Sequence, residues 1–299
     1  MKLTFLLLTL PALFCHAGPS PVPADERVTT DARGRTVPHA LPVEEKLRNP
    51  WPAAWEEEFL ERVNASLKAS DIQPGKYGGT FFENEKSSYP QAFIGFLKGQ
   101  RAEAIKFLQQ EDDAAWSKKL TLGVDWFPSF TIRSQVRKYF FFGQYLDPAY
   151  RQRMFDSAKI WTARDPMRRP NEFWIPPDKR QSQGEGWTPE FHNSWVDVRS
   201  TDNLRAMREV SVYLMAEETG NAETARIYKE RIRAYVTALY TTGMGEWDSA
   251  NYLSHGLTAY LPLYDFARDP EVKLLAKAQL DWICAAAAGK SFRSPQARA

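Results

Sequence analysis

Side chains that can transfer protons or bind anions are concentrated in two stretches of this sequence, at positions 184–205 and 243–255. Each stretch begins with glycine and leads from a loop into the start of a predicted helix. Functional groups are often carried by loops that a rigid scaffold holds in place. The two stretches are therefore the predicted functional site.

The residue types in these stretches are suited to an anionic substrate. Asn203 falls in the first turn of a predicted helix, where exposed backbone amides favour a bound anion. Tyr252 and His255 are three residues apart, so they share one face of the next helix start. Residues of these stretches also have structural interpretations. Asp248 or Ser249 could cap a helix, and Tyr252 and His255 could be buried core side chains.

Helical elements must position these groups, because apolar residues recur at helical spacing along most of the chain. Gly220 is a predicted C-cap, Asn221 the following N-cap, and Pro262 should kink the helix that contains it. No alternating strand pattern of useful length is present. The periodicity predicts helices from about residue 53, near 88–97 and 99–110, and over 130–144, 148–164, 202–218, 222–241, 250–267 and 270–288.

Helical hairpins that recur every 50 to 70 residues indicate an all-α fold, either an α/α toroid or an incomplete α/α barrel. The predicted domain covers residues 51–288. An extended arm rich in Pro, Arg and Thr (18–50) precedes it, and an unstructured tail (289–299) follows.

The first seventeen residues have the pattern of a signal peptide, with a lysine, a short apolar run and cleavage near Ala17. A secreted or periplasmic protein is therefore expected, soluble and free of the membrane after cleavage. Only Cys284 then remains, so no internal disulfide is expected. The net charge of +2 and the lack of a basic run argue against a nucleic-acid partner. The oligomeric state is left open.

Three segments resemble the α/α-toroid polysaccharide lyases, the group that includes alginate and glucuronan lyases and heparinase II/III-like enzymes. They are Asp202-Asn203-Leu204-Arg205 with the helix ending at Asn221, the stretch Gly245–Ser249 with Tyr252 and His255, and the apolar run Tyr260–Ala267. Alginate lyases of this type open the first of these helices with Asn-Asn-His, and they carry an arginine where this chain has Gly245. The resemblance covers roughly residues 185–288.

The resemblance implies β-elimination on a uronic-acid polysaccharide, with no cofactor and no metal. Neutralisation of the sugar carboxylate makes the C5 proton removable, and a tyrosine or histidine then takes it. On this chain the implied catalytic residues are Asn203 as neutraliser, Tyr252 as acid/base, His255 or His192 as base or polarising group, and Arg199 on the substrate carboxylate. The implied substrate-binding residues are Asn193, Arg205, Trp187, Trp195, Glu246 and Trp247.

Two other functions remain open from the sequence. An inverting glycoside hydrolase of the same fold would use Glu246 or Asp248 with a second acid from Glu185, Glu190 or Asp197. A non-catalytic carbohydrate-binding protein would use the same aromatic residues without chemistry.

Overall fold

The computed structural model describes residues 28–38, 52–73, 77, 89–110, 112, 121–126, 130–164 and 202–291. The predicted all-α class is confirmed, since the described elements are α-helices apart from one short hairpin, one 3-10 turn and an isolated β-bridge between Thr121 and Val124. No helix within these ranges has the length and apolar character that a membrane span needs. The elements are β1 (Val28–Thr30), β2 (Thr36–Pro38), α1 (Ala53–Ala69), α2 (Tyr89–Leu97), α3 (Arg101–Leu108), α4 (Phe130–Phe140), the 3-10 turn Gly143–Tyr145, α5 (Pro148–Arg164), α6 (Asp202–Thr219), α7 (Ala222–Thr241), α8 (Ala250–Phe266) and α9 (Pro270–Ser291).

The β-hairpin lies within the predicted arm. Its strands pair antiparallel, with Thr29 opposite Val37. The Asp31 carboxylate accepts hydrogen bonds from the backbone amides of Arg33 and Arg35, both at 2.9 Å, and so forms the turn. The side chain of Asn64 on α1 bonds the backbone of β2. Strands of three residues are too short to show the alternation that predicts a strand.

Helix α6 is the centre of the core, and nearly all of its side chains are buried. It packs against α4, α5, α7 and α8. A helix surrounded in this way is apolar or internally paired on every face. The buried set on α6 includes Arg208 and Glu209 as well as an apolar stripe.

Helices α4, α6 and α8 run parallel. Their first turns meet at one end, where Arg133 contacts His255. Their last turns meet at the other end, where Glu218 contacts both Tyr139 and the residue Arg268 that follows α8. All three helices contact one another.

Helices α7 and α9 return antiparallel to this layer and run side by side. Arg233 near the middle of α7 pairs with Glu271 at the start of α9. Further along, the Tyr240 hydroxyl donates to the backbone carbonyl of Ala278 at 2.7 Å. Two consecutive hairpins, α6–α7 and α8–α9, thus pack in the same orientation.

The turn between α6 and α7 follows the prediction in position but not in every contact. Gly220 adopts a φ of 77°, and the Asn221 amide donates back to the carbonyl of Ala216 at 2.9 Å, as expected for a glycine-terminated helix. Asn221 occupies the N-cap position, but its side chain makes no capping bond. It donates instead to the Lys159 carbonyl and the Thr162 hydroxyl, which ties α5 to the turn.

Most helix bounds agree with the predicted spans, and two differ by several residues. Helix α4 ends at Phe140 rather than 144, because the chain changes there to the 3-10 turn. Helix α9 continues to Ser291, beyond the predicted end at 288. Pro262 lies inside α8, as the sequence predicts, and it is buried.

Candidate functional site

The predicted site residues of the described chain lie at one end of the parallel layer. Asn203 is in the first turn of α6, while Tyr252 and His255 are in the first two turns of α8. Glu246 and Trp247 are in the loop that leads into α8. The described end of the first stretch, residues 202–205, therefore contacts the second stretch.

The start of α8 fixes the tyrosine and the histidine on one surface. Ser249 is the N-cap, and its side-chain oxygen accepts the Tyr252 amide at 3.3 Å, which confirms the capping interpretation. The Tyr252 side chain is 38% exposed, and its ring centre is 6.1 Å from that of His255. An accessible phenol thus stands one turn before a partly buried imidazole.

His255 is held by a residue that the sequence did not indicate. Arg133 of α4 donates from Nη1 to His255 Nδ1 at 2.9 Å and to the Thr258 hydroxyl at 3.0 Å. A guanidinium has only donors, so Nδ1 must carry a lone pair. The proton of the neutral ring is therefore on Nε2, and Nε2–H is the group that His255 can donate.

The arginine at this contact is only 9% exposed. Burial, with a smaller contribution from the nearby charge of Arg137, lowers the pKa of Arg133 to about 10. Burial likewise lowers the pKa of Arg137, one turn further along α4. Arg133 still carries its charge at neutral pH, so a desolvated cation lies behind the imidazole. An anion close to this pair would meet little competition from water.

Asn203 is bound by an internal carboxylate. Glu246 accepts the Asn203 backbone amide at 2.9 Å and its side-chain amide at 2.8 and 3.0 Å. The Glu246 amide in turn donates to Asp202 at 3.2 Å. These bonds cap α6 and join it to the loop before α8. A substrate carboxylate would have to displace Glu246 to reach the Asn203 amide.

Arg205 also has an internal partner rather than an open binding position. Its Nε donates to the buried carboxylate of Glu209 at 3.0 Å, and its guanidinium lies over the ring of Tyr235. The hydroxyls of Tyr235 and Tyr260 are buried without a hydrogen-bond partner among the described residues. Burial raises the pKa of both phenols, and the charge of Asp202 adds to the effect on Tyr235. These phenols therefore remain protonated and do not suit proton transfer.

Trp247 lies at the rim of the site and is 46% exposed. The Lys290 ammonium from the last turn of α9 lies 4.6 Å from the centre of its ring and 3.3 Å from Asp248. The Asp248 side chain is 89% exposed. One face of the indole is thus covered, and the carboxylate beside it is a surface group.

Five predicted residues, Trp187, His192, Asn193, Trp195 and Arg199, lie outside the described residues, as do Glu185, Glu190 and Asp197 of the hydrolase alternative. Within the described ranges, no group of three His, Cys, Asp or Glu side chains could hold a metal ion. Arg133 is the main residue of the candidate site that the sequence did not indicate. Its position in an amphipathic segment gives no signal, because its contact with His255 spans 122 residues of chain.

Comparison of the chain with protein-family models, with curated proteins and with solved structures gave no match.

Proposed function

We propose that this protein is a secreted lyase that cleaves a uronic-acid-containing polysaccharide by β-elimination. The observation that carries the proposal is the contact of Arg133 with His255, with the exposed Tyr252 one turn away on the same surface. It combines a fixed positive charge, an imidazole N–H donor and an accessible phenol, which are the groups that this chemistry needs.

Arg133 and His255 are the proposed carboxylate neutralisers. The C5 proton of a uronate is barely acidic while the neighbouring carboxylate keeps its full charge. In the transition state negative charge moves onto that carboxylate, where donors already in place are most effective. The low exposure of Arg133 increases its effect on that charge. Asn203, which is bonded to Glu246, instead holds the α8 loop in position.

Tyr252 is the proposed acid and base. As phenolate it takes the proton from C5, the C4–C5 double bond forms, and the bond from C4 to the leaving oxygen breaks. The phenol then returns the same proton to that oxygen. His255 does not suit the role of base in this geometry, because its Nδ1 accepts from Arg133 and its Nε2 carries the proton. The proposed base is therefore Tyr252, and His255 is the proposed polarising group; the sequence left both assignments open.

The surroundings of these residues support a sugar polymer as substrate. Three exposed aromatic side chains, those of Tyr240, Trp247 and Tyr252, lie within thirteen positions around the loop between α7 and α8. Exposed aromatic faces at one end of a bundle are a suitable stacking surface for pyranose rings. Two helical hairpins packed in the same orientation are also what an α/α toroid repeats. We propose that the whole domain is an incomplete α/α barrel.

The hydrolase alternative finds less support. An inverting hydrolase needs one acid to protonate the leaving oxygen and another to activate water. Both oxygens of Glu246 accept hydrogen bonds from Asn203, and Asp248 forms a surface pair with Lys290. Neither carboxylate is presented as a free proton donor.

The test is incubation of the chain with alginate, glucuronan, hyaluronan, heparin-type polymers and pectate. Ultraviolet absorbance of the unsaturated uronate product is followed, together with the release of reducing ends. We expect a rise in absorbance on at least one polymer and its loss in Tyr252→Phe. Tyr240→Phe is the matched control, because it removes a hydroxyl from another exposed tyrosine in the same region.

Each other outcome has a distinct meaning. Reducing ends without unsaturated product would replace elimination by hydrolysis. Binding without any product would identify a carbohydrate-binding protein. An unchanged rate in Tyr252→Phe would refute the assigned acid and base even if the protein is a lyase.

A further inference from the structure

A pocket lies at the end of α4 that is remote from Arg133. It has a volume of about 300 Å³ and lies between the last turn of α4, the 3-10 turn and the first turns of α5. This volume is at the lower end of the range for small-molecule sites, and it equals that of about ten water molecules. A single six-membered ring with its substituents has a size that this volume can hold.

The walls of this pocket are apolar and polar in about equal parts. Tyr139 and Phe155 contribute aromatic rings, and Leu146 and Pro148 contribute aliphatic surface. The Tyr139 ring is fixed, because its hydroxyl donates to Glu218 at 3.0 Å. Such walls favour a ligand with a flat or ring-shaped body.

One cation faces this apolar surface. The Arg151 guanidinium lies over the Tyr139 ring at 5.3 Å from its centre. Gly143 permits the approach, since a Cβ at that position would lie 3.1 Å from Arg151 Nε. Among the described residues no carboxylate pairs with Arg151, whereas Glu218 next to Tyr139 already pairs with Arg268. The pocket thus carries one positive charge that no carboxylate of the described residues matches.

We propose that this pocket binds a small organic monocarboxylate, with its carboxylate on Arg151 and its ring against Tyr139 and Phe155. A guanidinium suits a carboxylate because it can donate two parallel hydrogen bonds. Gln144 and Gln152 also line the pocket, so amide groups are close to the body of a hydroxylated ligand. A hexuronate therefore has both the charge and the size that the site requires.

A phosphate is disfavoured by the neighbouring helix start. The first amides of α5, those of Ala149 and Tyr150, are occupied by the Asp147 carboxylate at 2.9 and 3.1 Å. These amides would otherwise be the natural partners of a phosphate dianion. The negative charge of Asp147 further opposes a second charge on the ligand.

The test is titration of the full chain with sodium glucuronate, followed by saturation-transfer NMR, with glucose as the uncharged control. We expect glucuronate to bind and glucose to bind at least tenfold more weakly. Arg151→Met should weaken glucuronate binding about ten- to a hundredfold, the effect of losing hydrogen bonds to a charged group. Arg164→Met, an equal loss of charge on the exposed last turn of α5, should leave binding unchanged.

A second variant guards against a folding defect in Arg151→Met. Gln152 lines the pocket and is exposed, so Gln152→Trp should block entry without disturbing the core. Loss of glucuronate binding in both variants, with binding retained in Arg164→Met, supports the proposal. Binding that persists in both, or that disappears only in Arg133→Met, would overturn it and place the ligand at the candidate active site. Because the readout is binding, the result does not depend on whether the lyase proposal is correct.

Discussion

Replacement of Arg133 by methionine should separate function from stability. Methionine has nearly the length of the arginine stem, so it should fill the space between α4 and α8 without a charge. If Arg133 neutralises the substrate carboxylate, turnover should fall sharply while the fold persists. A purely structural arginine would behave in the opposite way.

The expected stability change is a balance of two effects. The pKa of Arg133 is lowered from 12.5 to about 10 by burial, which corresponds to about 3 kcal/mol of unfavourable free energy for the charged form. Against this, the hydrogen bonds to His255 and Thr258 contribute about 1.5–3 kcal/mol each where the donor is charged. Methionine removes both effects, so the free energy of unfolding should fall by no more than about 3 kcal/mol.

The expected loss of activity is larger. Removal of one preorganised donor to a developing oxyanion typically costs about 3–4 kcal/mol, or about a hundred- to a thousandfold in kcat. The assay is kcat and KM for the polymer that gives unsaturated product, with urea unfolding measured on the same samples. Arg137→Met is the matched control: it removes a half-buried arginine of α4, one turn further along, whose described hydrogen bond goes to the Thr258 carbonyl.

A pH series provides an independent check on the charge. Because the folded-state pKa of Arg133 lies below its unfolded value, the charged form destabilises the native state at neutral pH. Above about pH 10 the folded chain loses a proton that the unfolded chain keeps, so wild-type stability should rise relative to Arg133→Met. The proposed role of Arg133 as carboxylate neutraliser would be refuted by one combined result. In that result Arg133→Met loses more than about 3 kcal/mol of stability, and its activity falls only in proportion to the folded fraction.

Three further outcomes are expected from urea unfolding of single variants. Glu246→Ala should lower the free energy of unfolding by about 1–3 kcal/mol, because it leaves the side chain and backbone amide of Asn203 without their acceptor; an unchanged value would contradict the capping role. Lys138→Met should lower the free energy of unfolding by less than about 1 kcal/mol, or raise it. The reason is that this fully buried ammonium contacts tyrosine hydroxyls and rings, and no carboxylate of the described residues. A large loss of stability would show that the charge itself stabilises the core. Burial raises the pKa of Asp269, but hydrogen bonds from Lys229 and from backbone amides outweigh burial and hold this pKa below 3.8. The stability that the Asp269–Lys229 pair contributes should therefore be present above about pH 3.8 and be lost as the pH falls through the lowered pKa. Lys229→Met should flatten this acid dependence of stability, and an unchanged pH profile would count against the pair.

The helices were predictable because their signals are local. Asp147-Pro148 and Asp269-Pro270 mark helix starts, and α5 and α7 begin and end at the predicted residues. Gly220 marks a helix end because only glycine readily adopts its positive φ. The β-hairpin was not predicted, since its three-residue strands are held by Asp31 and Asn64 rather than by an apolar pattern.

The site was predictable only in part, because its contacts join distant parts of the chain. Tyr252, His255 and the Ser249 cap belong to one local motif, and the sequence indicated them together. The partner of His255 comes from α4, whose arginines look like a solvated face in the sequence but lie against α8. Likewise, nothing local shows that Glu246 binds Asn203. The roles of His255 and Asn203 depend on which partners their nitrogen atoms bind, and only the tertiary structure shows these partners.

The distribution of charge at the shared helix end favours the space beside His255 as the place where an anion binds. Parallel helices direct their positive dipole ends the same way. At α6 that end is already matched by the carboxylates of Asp202 and Glu246. At α8 the described cap is the neutral Ser249, and the adjacent Arg133 adds a full positive charge. Under the proposed function, a uronate carboxylate should therefore bind near the start of α8, where Tyr252 is the exposed phenol of the helix.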